Sequence, residues 1–132
     1  MRYAAIAFLF VIIAVGCSSE PEFKIEPGSP AHAMQAFIKA VLDGDVGSYL
    51  NALDSTARAQ SYGVAQKVGA GFEEMMKAKI AEYRPQYENV KIVGEKITGN
   101  IAKVTLVKEG DPDPADIDFI KEPGGWKLRL KK

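Results

Sequence analysis

Trp126-Lys127-Leu128-Arg129-Leu130-Lys131 alternates apolar and basic residues without a break. Successive side chains of a strand point to opposite faces, so this stretch predicts a strand with one apolar and one charged face. Glu122-Pro123-Gly124-Gly125 before it is turn chemistry. A two-residue turn at Pro123-Gly124 joins it to a third strand, Asp116 to Glu122, with Ile117 and Phe119 facing the core. That register sets Phe119 opposite Leu128 and Ile117 opposite Leu130. It also sets Asp118 opposite Arg129 and Asp116 opposite Lys131. Both faces agree on one register, which is strong internal support for it.

Further upstream, Ile101 to Lys108 reads as a second strand, with Ala102, Val104 and Leu106 on one face and Lys103, Thr105 and Val107 on the other. A longer loop, Gly110-Asp111-Pro112-Asp113-Pro114, follows it. Gly99-Asn100 is a tight hairpin back to a first strand spanning about Tyr87 to Thr98. A two-residue turn there pairs Thr98 with Ile101, Ile97 with Ala102 and Glu95 with Val104. Glu95 then shares the inward face with Val93 and Ile97.

The half before the sheet reads as helical. Ser29-Pro30 supplies an N-cap and a first-position proline. Met34, Phe37, Ile38, Val41 and Leu42 fall on one helical face, His32, Gln35, Lys39 and Asp43 on the other, and Gly44 supplies the stop. Asp45 caps a shorter helix through Val46, Tyr49, Leu50 and Leu53. Asp54 or Ser55 begins a further short piece ending at Tyr62-Gly63, and Gly63, Gly69 and Gly71 make the next stretch loose. The last helix runs from Phe72 to Tyr83, with Phe72, Met75, Met76, Ile80 and Tyr83 on one stripe, and Arg84-Pro85 ends it. Helices first and an antiparallel meander after them predict an α+β domain over 29–132, with the helices packed on a curved sheet.

The 132 residues suit one domain plus a leader, and 47% apolar with 26% charged is an ordinary globular balance. Charge is neutral at 17 basic and 17 acidic residues, which gives no electrostatic case for nucleic acid. Met1-Arg2-Tyr3 is short and positive, and Ala4 to Val15 is continuously apolar. That run is shorter than the about 20 residues of a membrane-spanning helix and fits the core of a secretory signal. Ala14-Val15-Gly16-Cys17 resembles a bacterial lipobox. The resemblance implies a signal peptide over 1–16 and acyl chains, palmitate among them, on Cys17, the chain's one cysteine. Ordinary signal cleavage near Gly16 or Ser18 is the alternative. Two or three acyl chains hold a protein on a membrane where one holds only marginally. Ser18, in place of the Asp that retains lipoproteins in an inner membrane, implies the periplasmic side of an outer membrane in a two-membrane cell envelope. Residues 17–28, with Pro21, Pro27 and Gly28, read as a flexible tether.

Ser29-Pro30, Phe37, Leu42-Asp43-Gly44-Asp45, Ile97-Thr98-Gly99-Asn100, Ala102-Lys103-Val104 and Gly125-Trp126-Lys127-Leu128 follow one another as in the nuclear transport factor 2-like superfamily, the ketosteroid-isomerase-like (cystatin-like) cone. The chain resembles that superfamily's small bacterial lipoproteins of unknown function. The resemblance implies helices over the concave face of the sheet, often around a pocket, in a superfamily of enzymes and of non-catalytic binding modules.

Candidate site residues are few. Glu95, facing inward, could carry a raised pKa and act as a general acid or base. Tyr49 and Tyr83, with Tyr62 and Tyr87, could line a pocket with polar tips, although such a stripe is more often core. His32, the one histidine, lies on a polar helix face near a helix start and reads as solvated. Asp111, Asp113 and Glu122 fall at positions one, three and twelve of a calcium loop, but Ala115 and Asp116 occupy positions five and six, and a solvated loop explains the acids more simply. Asp116 and Asp118 then belong to a charged outer face. Gly69-Ala70-Gly71 before a helix could cradle a phosphate, but Glu73-Glu74 would repel it. No metal or cofactor is expected. The reading is a non-catalytic envelope module binding a small apolar ligand or a protein. The alternative is an isomerase- or dehydratase-type pocket enzyme using Glu95 with a tyrosine. A third is a homodimer through the outer sheet face, where Val107 and Ile120 interrupt the charges.

Overall fold

The computed structural model describes residues 23–129. Four helices precede a four-stranded antiparallel meander, so the domain is α+β as the sequence predicts. Helix α1 is Pro30–Asp43, α2 is Val46–Ala52, α3 is Ser55–Val68 and α4 is Phe72–Tyr87. The strands are β1, Val90–Thr98; β2, Ile101–Lys108; β3, Ala115–Glu122; and β4, Gly125–Leu128, hydrogen-bonded in that order.

Local chemistry sets the helix ends. The Ser29 hydroxyl accepts from the His32 N–H at 3.1 Å, and Pro30 opens α1. Gly44 closes it in a left-handed conformation (φ 69°), with its N–H and that of Asp45 returned to carbonyls of the last turn. The Asp45 and Asp54 carboxylates cap α2 and α3 by accepting from Ser48 N–H and Ala57 N–H.

Met34, Phe37 and Val41 of α1 are buried as their spacing predicts, together with Ala31 and Ala40. They meet Ala102, Val104 and Leu106 of β2, Phe119 of β3, Leu128 of β4, and Met76 and Ile80 of α4 in one core. Phe37 is central: its ring centroid lies 5.4 Å from that of Tyr49 and 5.4 Å, edge-on, from that of Tyr87.

The sheet register follows the two hairpins read from the sequence. Thr98 pairs with Ile101, Ile97 with Ala102, Glu95 with Val104, and Phe119 with Leu128. Arg129 continues the last pairing by one hydrogen bond, its N–H donating to Asp118 O at 2.9 Å. The expected Ile117–Leu130 and Asp116–Lys131 pairs, like Cys17 and the leader, lie outside the described residues. Inside them, the Asp118 carboxylate accepts from Lys103 at 2.9 Å and that of Asp116 from Thr105 at 2.8 Å, so the acids are matched across β2.

Five expectations are corrected. Helix α4 does not stop at Arg84-Pro85 but runs through Pro85 to Tyr87, which is therefore helical and not the start of β1. Pro85 gives up one helical hydrogen bond, to the carbonyl of Ala81, and the extra turn seats Tyr87 against Phe37. Helix α3 runs past Gly63 to Val68, because one exposed mid-helix glycine costs only about 1 kcal/mol. The break comes at Gly69 (φ 70°), where a short 3-10 turn, Gly69–Gly71, joins α3 to α4. Val93 is the extra residue of a bulge between Ile92 and Gly94 and is 39% exposed, so it leaves the inward face. Lys127, expected on a charged outer face, is 8% exposed, with its ammonium on Asn51 O at 2.8 Å. The end of the expected tether is also structured: Phe23 and Ile25 pack on the core, and Ser29 bonds back to Glu26 O.

The edges of the sheet differ. Along β4, Leu53 forms a parallel bridge with Leu128, and Asp54 N–H donates to Leu128 O at 2.9 Å. No strand among the described residues pairs with the outer edge of β1.

Candidate functional site

Glu95 stands on the face of β1 that looks toward α1, opposite the fully buried Val104. Its carboxylate accepts from the N–H of Ala31 at 2.9 Å. Ala31 is the second residue of α1 and is fully buried, and Pro30 before it has no N–H. With the Ser29 hydroxyl on His32 N–H, this long-range bond satisfies the free donors of the first turn. A carboxylate there also faces the positive end of the helix dipole. Glu95 thus holds a helix to a strand, and none of the four clefts described below includes it.

The tyrosines divide. Tyr49 of α2 and Tyr83 of α4 come together along one groove, whereas Tyr62 is 55% exposed and Tyr87 packs on Phe37. Burial pushes the Tyr49 phenol up to about 12, and the neighbouring phenols of Tyr83 and Tyr87 add to it. Burial likewise raises Tyr87. No side-chain oxygen among the described residues is both buried and without a partner, and no described residue bonds the Tyr49 hydroxyl.

The groove lies between α3 and α4, has a volume of about 230 Å³, and is open to solvent. Tyr49, Leu53 and Met76 line it together with Ala57 and Val64 of α3 and Phe72, Met75 and Tyr83 of α4. Helix α3 buries only Ala57, so it stands off the core along most of its length. Val64 and Met75, facing the groove, are 42% and 38% exposed. Large apolar side chains left in contact with water around a concavity are the usual mark of a binding surface. The stripe Phe72–Met75–Met76–Tyr83 was visible in the sequence. The groove was not, because it depends on α3 continuing past Gly63.

A second, polar cleft escaped the sequence reading. Glu122, at the end of β3, accepts from Ser55 N–H at 2.9 Å and from the Arg58 guanidinium at 3.3 Å. Those bonds, that of the Ser55 N–H first, and the charges of Arg58 and Lys127 hold the Glu122 carboxyl below its ordinary range. Asn51, Ser55, Arg58, Glu122 and Lys127 line the cleft beside the Pro123-Gly124 turn. Its charges satisfy one another: an acid on a helix N-terminus, a cation on the C-terminal carbonyl of α2. Two further clefts lie between α1, α2 and Trp126, and between Phe23, Ile25 and the start of β1.

The remaining candidates are dispersed. His32 is exposed, its Nδ1 accepting from Gly28 N–H at 3.4 Å. Asp113 N–H donates to Asp111 within the 110–114 loop, while Glu122 is engaged at Ser55 and Arg58. Among the described residues no three His, Cys, Asp or Glu side chains are grouped as a metal ion requires. Gly69-Ala70-Gly71 serves as the α3–α4 junction. No helix of the described residues is long and apolar enough to cross a membrane.

A protein family described as a domain of unknown function, DUF4878, matches residues 22–129. A Campylobacter jejuni protein described as an NTF2-like transpeptidase is similar in structure, at 16% identity and a TM-score of 0.47, over 78% of this chain and 99% of that one. No curated protein matches.

Proposed function

The chain belongs to the DUF4878 family, whose description states no activity, and from the geometry of this member we propose a non-catalytic module of the cell envelope that binds a small apolar ligand. The observation that carries the reading is the open groove between α3 and α4, walled by Val64, Phe72, Met75 and Met76 and tipped with the phenols of Tyr49 and Tyr83. An enzyme of isomerase or dehydratase type would need Glu95 over a bound molecule. Its carboxylate is tied to Ala31 N–H instead, which favours binding over catalysis.

The place of action in this reading is the periplasmic side of an outer membrane, reached through acyl chains on Cys17. Its support is the lipobox-like Ala14-Val15-Gly16-Cys17. Incorporation of a labelled palmitate analogue, abolished by Cys17→Ser, tests this part alone.

The binding part is tested with the full chain carrying Cys17→Ser and the neutral apolar dye N-phenyl-1-naphthylamine. Saturable fluorescence enhancement, lost in Val64→Asp and Met75→Asp, is expected. Both positions are exposed, so the variants keep the fold. Enhancement that is absent, or unchanged in both variants, overturns the reading. So does substrate turnover that Glu95→Gln abolishes.

One observation favours self-association as well. Ile101, 44% exposed, pairs with Ile120 on the outer face of the sheet, in line with the dimer expected from Val107 and Ile120. Sedimentation equilibrium that shows monomer alone at high concentration refutes it.

A further inference from the structure

The groove between α3 and α4 is not uniformly apolar. Along α4 its lining runs Phe72, Met75, Met76, Lys79, Tyr83, spaced by helical turns on one side of the helix. The first three are apolar, the fourth is a cation and the fifth ends in a phenol. On α3 the order is reversed, as a short-linked helix pair requires: Val64 lies nearer the Gly69–Gly71 junction, and Ser61, Gln60 and Ala57 lie farther from it. One end of the groove is therefore hydrocarbon, and the other carries Lys79, Tyr83, Ser61 and Gln60.

Lys79 is the one charged residue of the lining, which contains no acid. No carboxylate among the described residues pairs with it, whereas Lys77, two positions earlier, is engaged by Glu73 and Glu74 at 3.4 and 3.9 Å. No described residue bonds the Tyr49 hydroxyl either.

Resting on the binding reading above, we infer that the groove takes a single-chain amphiphile with an anionic head, a free fatty acid, with its tail along Val64, Phe72, Met75 and Met76 and its carboxylate at Lys79. A wholly apolar molecule would leave the Lys79 end unmatched. The seven steps from Phe72 to Lys79 span about 10 Å of helix, which suits one tail of medium length.

The test is calorimetric titration of the full chain carrying Cys17→Ser with a series of saturated fatty acids from hexanoate to tetradecanoate, and with decanol. Affinity is expected to rise roughly fourfold per methylene until the tail fills the groove. Decanoate is expected to bind about tenfold more tightly than decanol, a preference that Lys79→Met removes and Lys79→Arg preserves. Equal affinity for decanoate and decanol, or a preference untouched by Lys79→Met, overturns the fatty-acid inference while leaving apolar binding in place. Binding of neither ligand, together with no response to the neutral dye, overturns both.

Discussion

Replacing Glu95 by alanine removes the acceptor of the Ala31 N–H, a bond of 2.9 Å between residues 64 positions apart. Ala31 is fully buried, so water has poor access to the orphaned donor. A buried N–H without a partner costs about 1–3 kcal/mol, and loss of a carboxylate at a helix N-terminus adds about 0.3–1 kcal/mol. Part of the loss is offset because the freed strand face admits some water near the helix end. The expected net destabilisation of Glu95→Ala is about 2 kcal/mol, which for a domain of this size lowers Tm by roughly 10 °C. Glu95→Gln keeps an acceptor oxygen and loses only the charge, so about 0.5–1 kcal/mol is expected. Urea unfolding of the Cys17→Ser chain, followed by circular dichroism at 222 nm, measures both. A loss under about 0.5 kcal/mol for Glu95→Ala would refute the capping role. Equal losses for the two variants would refute the hydrogen bond as its main source.

Three further outcomes follow from the same geometry. The Glu122 carboxyl is held below its ordinary value of 4.5, so the stability it contributes is complete above that pH and is lost as pH falls through the lower folded value; Glu122→Gln should flatten the acid side of a Tm-against-pH profile. Lys127→Met should cost about 1–3 kcal/mol by urea unfolding, because the Asn51 carbonyl loses its buried donor, while the more exposed Lys103→Met should cost no more than about 1 kcal/mol. Phe23→Ala with Ile25→Ala should destabilise by about 2 kcal/mol by the same assay, since both side chains pack on the core; an unchanged midpoint would return residues 23–28 to the status of a tether.

The hairpins were legible because their information is local. Gly99-Asn100 and Pro123-Gly124 fix register by turn length, and strict alternation in Ile101–Lys108 leaves one choice of face. The same locality misled at Val93, because a bulge is set by how a strand must curve over a helix and leaves no signature in the residues alternating around it. Pro85 and Gly63 were read by propensity, which is a weak prior against a tyrosine seeking an aromatic partner or a helix with good formers on both sides of a glycine. Glu95 was singled out for the right reason, an acid on an inward face. Its partner, an N–H at the start of a helix 64 residues earlier, becomes visible only once the helix is docked. Lys127 and Glu122 are similar: each answers a helix end that the strand order brings beside it.

The unequal edges of the sheet set a limit on counting. Polymerisation through backbone pairing needs two sticky ends on every unit. Here one end is engaged internally at Leu128, where Leu53 and Asp54 meet β4, while no strand among the described residues pairs with the outer edge of β1. Two copies joined β1 to β1 would form an eight-stranded sheet whose outer borders are both β4, a strand of four residues already engaged at Leu128. Pairing through backbone edges is thus biased toward a closed dimer over an open fibre.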